Sequence, residues 1–301
     1  MFDITLLTDA RYHLPVTKND YINNILKEDE LLYNALTKRG LKVNRTYWDN
    51  PDYDWTNTKF AVFRTTWDYF ERFQEFSEWL DKTSQLTNFI NPLGLIRWNI
   101  DKHYLLELKN KDIRIPDTIF IKSGAEPSLS EICKNSNWTE FVLKPAVSGA
   151  GRHTYRFKLA DLSDYEAVFT ELIQKEAMLL QEFQHRVVSE GEIALMLFDG
   201  KFSHAVLKKA KSGDFRVQDD FGGSVHNCTA SEEEKEFAEK LSQKLGFEAV
   251  YARVDLIRDN AGKLAVSELE LIEPELWLRK DADAADKFAE SLISYISLNS
   301  K

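Results

Sequence analysis

Three acidic residues near the C-terminus carry the clearest chemical signal in this sequence. In RVDLIRDNAGKLAVSELELIEPEL, residues 253–276, strand alternation puts Glu268 and Glu270 on one face, because side chains repeat every two residues along a strand. Antiparallel pairing across the turn Asp259–Gly262 brings Asp255 to the same face. Carboxylates gathered that closely repel one another unless a cation sits among them. Hard oxygen ligands of this kind suit Mg²⁺, which keeps several waters and shares nucleotide phosphates. Arg253, two residues before Asp255 on the same face, is then set to contact a transferring phosphoryl group. A solvated acidic strand is the plainer reading, but here the acids interleave with apolar Val266, Leu269 and Leu271.

Cations and backbone donors are found upstream. In FVLKPAVSGAGRHTY, residues 141–155, a strand delivers Lys144 to a pocket edge. The loop Ser148-Gly149-Ala150-Gly151 can bend over phosphates and donate backbone N–H groups. It is not a P-loop, because the lysine precedes the glycines and no Gly-Lys-Ser/Thr follows. Lys102 is a second candidate cation; alone it reads as an exposed helix lysine. The apolar strand ending at Gln181-Glu182-Phe183 can offer backbone groups to a purine edge, and Glu192, just after Gly191, can accept from a ribose. Lys208 and Arg216 flank a polar, glycine-bearing stretch, residues 210–223, read as a mobile loop. Arg216 suits bidentate pairing with phosphate or carboxylate, whereas Lys209, Lys211 and Glu190 read as surface charges.

These groups need a frame. Phe2–Leu7, Val43–Tyr47, Lys59–Arg64 and Thr87–Ile90 read as strands. A helix over residues 21–36, ended by Gly40, and another over Phe70–Leu80 alternate with them, which implies a small, mainly parallel sheet covered by helices. A second unit opens near Arg97, with a helix from Asn99 to Lys109 and strands Thr118–Ile121, Glu140–Lys144 and Thr154–Phe157. A helix over Tyr165–Lys175 and the strand Met178–Glu182 complete it. The third is antiparallel: Glu192–Phe198, Phe202–Lys208, Tyr251–Arg258 and Lys263–Glu270. Its first helix is opened by the capping box Ser231/Glu234 and closed by Gly246; a last helix runs from Ala284 to Leu298. The expected division is 1–97, 98–182 and 183–301, a mixed α/β and α+β architecture with a nucleotide cleft between the second and third units.

Composition narrows the partners. Asp and Glu total 49 against 39 Lys and Arg, a formal charge of −10, which repels a polyanion and argues against nucleic acid. Cys133 and Cys228 stand in no metal-ligand spacing and read as reduced thiols. No apolar run is long enough to span a bilayer, and the N-terminal run is short and carries Asp3, so a cytoplasmic location is expected. There is no GxSxG elbow and no HExxH, and the six histidines lie singly.

The order of these pieces resembles the ATP-grasp superfamily: Lys102, Lys144, a glycine loop, a hinge at Glu182 and Phe183, Glu192, then Arg253, Asp255, Glu268 and Glu270. SHAVLKKAKSGDFRVQDDFGG and ELELIEPELWL look most like the branch containing the D-cycloserine-forming ligase, near glutathione synthetase and the ribosomal-protein glutamate ligases. Many relatives have Asn where Glu270 stands. The resemblance implies ATP held between two α+β lobes with Mg²⁺, or Mn²⁺ in its place, and substrates entering from the N-terminal lobe. It implies a carboxylate–amine ligase that works through an acyl-phosphate, whether on two molecules or by cyclising one. Small-molecule substrates are expected, and a homodimer is compatible with the sequence.

In that N-terminal lobe FRTTWDYFERF sets Arg64, Thr65, Trp67, Asp68 and Arg72 at a strand's carboxyl end, where open α/β sheets hold ligands. Arg64 would take a substrate carboxylate and Asp68 an ammonium, with helix capping by Asp68 and packing by Trp67 as equal alternatives. Glu273, in the turn Ile272-Glu273-Pro274, is a further amine-binding candidate on the same even footing. Two rival functions remain: a ligase acting on a peptide or protein, and a silent ATP-binding module. The full set of acids, lysines and arginines argues against the second.

Overall fold

The computed structural model describes residues 1–211, 213–216, 222–246 and 249–299. Residues 212 and 217–221 of the stretch read as a mobile loop therefore lie outside the described residues.

The N-terminal part alternates as its apolar spacing requires. It comprises β1 (Phe2–Thr8), α1 (Ala10–His13), α2 (Asp20–Lys38), β2 (Val43–Tyr47), β3 (Thr58–Thr65), α3 (Phe73–Thr83) and β4 (Asn88–Ile90). The strands form a parallel sheet in the order β2-β1-β3-β4. α3 begins three residues later than the apolar spacing suggests, because residues 66–72 form turns held by Arg72, which pairs with Asp49 and Asp68 and lies 4.6 Å from the Trp48 ring centroid.

Next come α4 (Leu93–Ile100), α5 (Tyr104–Asn110), β5 (Thr118–Ile121), α6 (Leu129–Asn135), β6 (Glu140–Pro145), β7 (Tyr155–Lys158), α7 (Ser163–Ile173) and β8 (Met178–Glu182). The single helix expected over residues 99–109 is thus two helices with a break at 101–103. Lys102 sits in that break, where its N–H donates to Ala146 O at 2.9 Å. β5, β8, β6 and β7 form an antiparallel sheet in that order. α6 has only two turns, too short for a periodicity to show, although its capping box Ser128/Glu131 is present in the sequence.

The remainder is α8 (Arg186–Glu190), β9 (Glu192–Phe198), β10 (Lys201–Lys209), β11 (Ser224–Cys228), α9 (Glu232–Leu245), β12 (Tyr251–Arg258), β13 (Leu264–Glu270) and α10 (Ala284–Asn299). An antiparallel sheet runs β11-β10-β9-β12-β13. The Ser231/Glu234 box and a left-handed Gly246 bound α9 as expected. β11 escaped notice because it is a mostly exposed edge strand with no apolar alternation.

One apolar core joins the first and last parts of the chain. Ile4, Leu32, Phe60 and Val62 pack with Met196, Tyr251, Phe288 and Leu292, so α2 and α10 fill the space between the parallel sheet and the C-terminal sheet. Asn91, wholly buried, bridges the same junction: its side chain donates to Tyr251 O (2.9 Å) and Leu271 O (2.7 Å) and accepts from Val250 N (2.6 Å). Full pairing of a buried amide makes such a bridge stabilising rather than costly. No helix among the described residues is long and apolar enough to cross a membrane.

Candidate active site

Strand register brings the acids together. β12 pairs with β13 so that Asp255 faces Glu268 and Arg253 faces Glu270. One carboxylate oxygen from each of Asp255, Glu268 and Glu270 lies within 4.8 Å of the others, with Asp255 fully buried and the two glutamates half-buried. An all-oxygen set at this spacing fits a hard divalent cation.

Cations ring the trio. Lys208 Nζ lies 2.7 Å from Asp255 Oδ2 and 2.5 Å from Glu192 Oε1. Arg253 donates to both Asp255 oxygens (3.0 and 2.9 Å) and pairs with Glu270. Lys102 Nζ pairs with Glu268 Oε1 at 2.8 Å and donates to Ser148 O at 2.7 Å, tying the glycine loop to the acids. Burial opposes ionisation of Glu268, but Lys102 and Lys144 hold its carboxyl below the usual range. At Glu270 burial prevails over Arg253, and the neighbouring Glu268 and Asp255 push it up further. Lys144 faces the same space with no ion pair among the described residues. Burial presses its ammonium down to about 8, against the pull of Glu268.

All of these except the fully buried Asp255 border one cavity of about 360 Å³, within the range typical of small-molecule sites. Pro116, Val142, Phe183, Val187 and Ile257 supply an apolar part of its lining. Arg156 stacks 3.7 Å from the Phe183 ring centroid and is held by Glu140 (2.7 Å); Phe215 meets Phe183 edge-on at 6.0 Å. Gln181 donates to Thr118 Oγ1 (2.9 Å), and Glu192 accepts from Ser267 Oγ (2.6 Å). Arg216 reaches the cavity wall paired with Asp214 of its own loop at 2.8 Å.

The glycine loop is shaped by more than phosphate. A Cβ on Gly149 would stand 2.4 Å from the Phe70 ring, so the loop and the N-terminal part pack too closely for any side chain there. Gly191, at φ +89°, would likewise drive a Cβ to 2.5 Å from Lys208 O.

The structure brings together Lys102, Lys144, Ser148, Gly149, Gly151, Gln181, Glu182, Phe183, Glu192, Lys208, Arg216, Arg253, Glu268 and Glu270, with Asp255 beneath them. Trp67 and Glu273 also border the cavity, joined by a bond from Trp67 Nε1 to Glu273 O at 2.9 Å. Arg64, Thr65 and Asp68 do not, which corrects the expectation for them. α10 covers the Arg64 guanidinium: it is 1% exposed, 3.6 Å from Asp29 and 5.6 Å from the Phe288 ring centroid. Thr65 bonds Thr8 (2.6 Å), and Asp68 accepts from Trp48 Nε1 (2.8 Å) and Arg72 (2.5 Å). In their place the N-terminal part contributes Arg11, Tyr12, Tyr21 and Tyr69. Arg11 and Tyr12 follow the end of β1, so the strand-end rule applied to β3 points to them when applied to β1.

An acid trio flanked by lysines and arginines, a glycine loop and a partly apolar lining together define a nucleotide-dependent phosphoryl-transfer site. Residues 101–282 match the RimK-like ATP-grasp domain, and the chain belongs to that family. Residues 4–91 match the family described as the N-terminal domain of D-cycloserine synthetase DcsG. The chain is 28% identical to the cycloserine biosynthesis protein DcsG of Streptomyces lavendulae, over 96% of this chain and 97% of that protein. It is 28% identical to tetrahydromethanopterin:alpha-L-glutamate ligase of Methanosarcina acetivorans, over 50% and 47% respectively. The crystal structure of D-cycloserine synthetase DcsG superposes with a TM-score of 0.85 at 27% identity, covering 97% of this chain and 99% of that one. D-alanine–D-alanine ligase from Bacillus anthracis shares the fold, with a TM-score of 0.66 at 16% identity over 99% and 98%. The chain is an ADP-forming carbon–nitrogen ligase that makes an amide bond with ATP and a divalent metal.

Proposed function

We propose that this enzyme joins a small carboxylic acid to an amine through an acyl-phosphate, with Mg²⁺ at Asp255, Glu268 and Glu270 and Mn²⁺ able to replace it. When bound, the ion neutralises phosphate charge and fixes phosphate geometry. The rest is done by the protein. Lys102, Lys144, Lys208 and the loop Ser148–Gly151 hold the phosphates; Gln181, Glu182 and Phe183 seat the base; Glu192 takes the ribose. Arg253 and Arg216 stabilise the phosphoryl group as a substrate carboxylate oxygen attacks it and ADP leaves. The amine then attacks the acyl carbon, phosphate departs, and the amine's proton passes to Glu273, whose carboxyl burial and Glu270 push up to about 8. Trp67 walls this end against water, which would otherwise hydrolyse the acyl-phosphate.

The reading further assigns lobes at 1–97, 98–182 and 183–301 and a cytoplasmic setting. The observation that carries it is the convergence of Glu268, Glu270 and four cations, Lys102, Lys144, Lys208 and Arg253, on one cavity, with Asp255 within 4.8 Å of both glutamates beneath it. An ADP-release screen over amino acids and related amines with Mg²⁺ tests the proposal. Turnover requires both a carboxylate and an amine, and Lys144→Ala and Glu268→Ala lower it by roughly 10²–10³-fold, the usual scale for losing a charge-stabilising group. Equal ADP release by wild type and both variants would overturn it.

A further inference from the structure

The glycine loop does not hold its shape by local preference. Ala150 and His153 both lie in the left-handed region, at φ +46° and +48°, where a Cβ is strained. Backbone of that kind persists only when its surroundings over-determine it. Part of the restraint is internal. Arg152 N donates to Gly149 O at 3.0 Å, Ser148 Oγ donates to Arg152 O at 3.0 Å, and Glu176 grips the Arg152 guanidinium with paired bonds of 2.9 and 2.8 Å. The rest comes from the N-terminal part. Val147, just before the loop, packs into its apolar cluster. The Phe70 ring lies so close to Gly149 that a Cβ there would meet three ring carbons within 3.2 Å.

The Phe70 ring has nowhere to retreat. It is 4% exposed, shares its cluster with Phe76 and Ile272, and meets Tyr69 edge-on at 5.5 Å. The turns at 66–72 that carry it are themselves pinned, since Asp68 accepts from Trp48 Nε1 and from Arg72, and Arg72 also pairs with Asp49. The same turns touch Glu273, where Trp67 Nε1 donates to the backbone carbonyl at 2.9 Å. Three positions apart on one braced turn, Trp67 and Phe70 thus contact groups that serve different half-reactions: Glu273 in amide formation, the glycine loop at the phosphates.

We propose that the 66–72 turns couple these two groups, with Phe70 as the positioning residue that sets the glycine loop. The ring is a buttress that keeps the loop bent toward the phosphates. Displacement of Trp67 and Glu273 by an incoming substrate carries the turn, the ring and the loop together. The assignment rests on the ligase reading above, which places this loop on the phosphates.

The test measures affinity for a non-hydrolysable ATP analogue with Mn²⁺ by calorimetry, with melting temperatures alongside, in Gly149→Ala, Phe70→Leu, Trp67→Phe and their pairs. Gly149→Ala weakens binding by about 10- to 100-fold, the weight of forcing a methyl group into packed space. Adding Phe70→Leu, which vacates ring volume, recovers roughly tenfold of that loss, because residues in contact do not act additively. Trp67→Phe keeps an aromatic side chain but deletes the bond to Glu273. It weakens nucleotide binding by about 3- to 10-fold, the weight of one hydrogen bond, and this effect vanishes in the Phe70→Leu background. If Gly149→Ala lowers the melting temperature, Phe70→Leu with and without Trp67→Phe still reads the coupling in folded protein. Unchanged nucleotide affinity in a folded Gly149→Ala, no recovery in its pair with Phe70→Leu, or a Trp67→Phe effect undiminished without Phe70 would each overturn the coupling, and ADP release by wild type would leave the ligase standing. Wild type that neither binds the analogue nor releases ADP would overturn both.

Discussion

Lys208 donates to Asp255 at 2.7 Å, and both side chains are almost wholly buried, 5% and 1% exposed. A metal-ligand candidate is thus charge-paired before any ion arrives. The same holds across the trio, with Lys102 on Glu268 and Arg253 on Glu270. Three carboxylates are tolerated in one place because three cations share it. Burial and the neighbouring Arg253 oppose the charge on Lys208, but Asp255 and Glu192 lift its ammonium well above the usual range, so it stays charged at all ordinary pH.

Replacing that lysine removes the compensation. Lys208→Met lowers stability by roughly 3 kcal/mol, the lower end for breaking a buried pair, because Arg253 still serves Asp255. Urea unfolding measures the loss, and a saturating nucleotide–Mn²⁺ mixture restores part of it by neutralising Asp255. A change below about 0.5 kcal/mol, the scale of an ordinary surface substitution, would mean that the pair is not a strut of the site.

Glu268→Gln keeps the shape of the trio and removes one anionic oxygen. Affinity for Mn²⁺ in the presence of a non-hydrolysable ATP analogue falls by more than the roughly 10–100-fold that loss of a supporting partner costs a metal site. Calorimetry reads it directly. Unchanged Mn²⁺ affinity would place the ion elsewhere.

Lys144 gives a pH signature. Burial brings its ammonium down to about 8, so in the nucleotide-free enzyme the charge is present below that pH and lost above it. Unfolded, the same group keeps its proton to about 10.4. Its burial therefore costs stability fully below pH 8, and the penalty fades as pH rises through that window. Phosphate favours the charged form. Above pH 8, nucleotide binding without metal takes up a proton and weakens by up to roughly tenfold per pH unit. Lys144→Arg, charged throughout, abolishes both effects in calorimetry run in buffers of differing ionisation enthalpy.

Glu28 links the two ends of the chain. Almost fully buried, it accepts from Leu278 N (2.7 Å), Arg279 N (3.0 Å) and Arg279 Nη1 (2.8 Å); the same Nη1 donates to Glu275 Oε1 (2.7 Å). Glu28→Ala strands two backbone amides and leaves Arg279 with Glu275 alone, and chemical denaturation shows a loss of about 3 kcal/mol, the lower end for breaking a buried pair. It also loosens the 273–279 segment that carries Glu273 and Trp277. ATP hydrolysis uncoupled from amide formation rises accordingly.

Local pattern alone determined much of this protein. Period-two alternation over 264–270 put Glu268 and Glu270 on one face, the 259–262 turn brought Asp255 opposite, and helix periodicity with Gly40, Ser231 and Gly246 marked where α2 and α9 begin or end. Such features depend on neighbours within a few residues, so they survive without knowledge of the fold. Tertiary packing decided the rest. It broke the helix at Lys102 to bring that ammonium onto Glu268, 166 positions away. It laid α10 over Arg64 and so closed the strand end that looked open, and it left the end of β1 uncovered, with Arg11 facing the cavity. Whether a charge is buried, paired or available depends on which distant segment lands on it, and chain-local spacing carries no record of that.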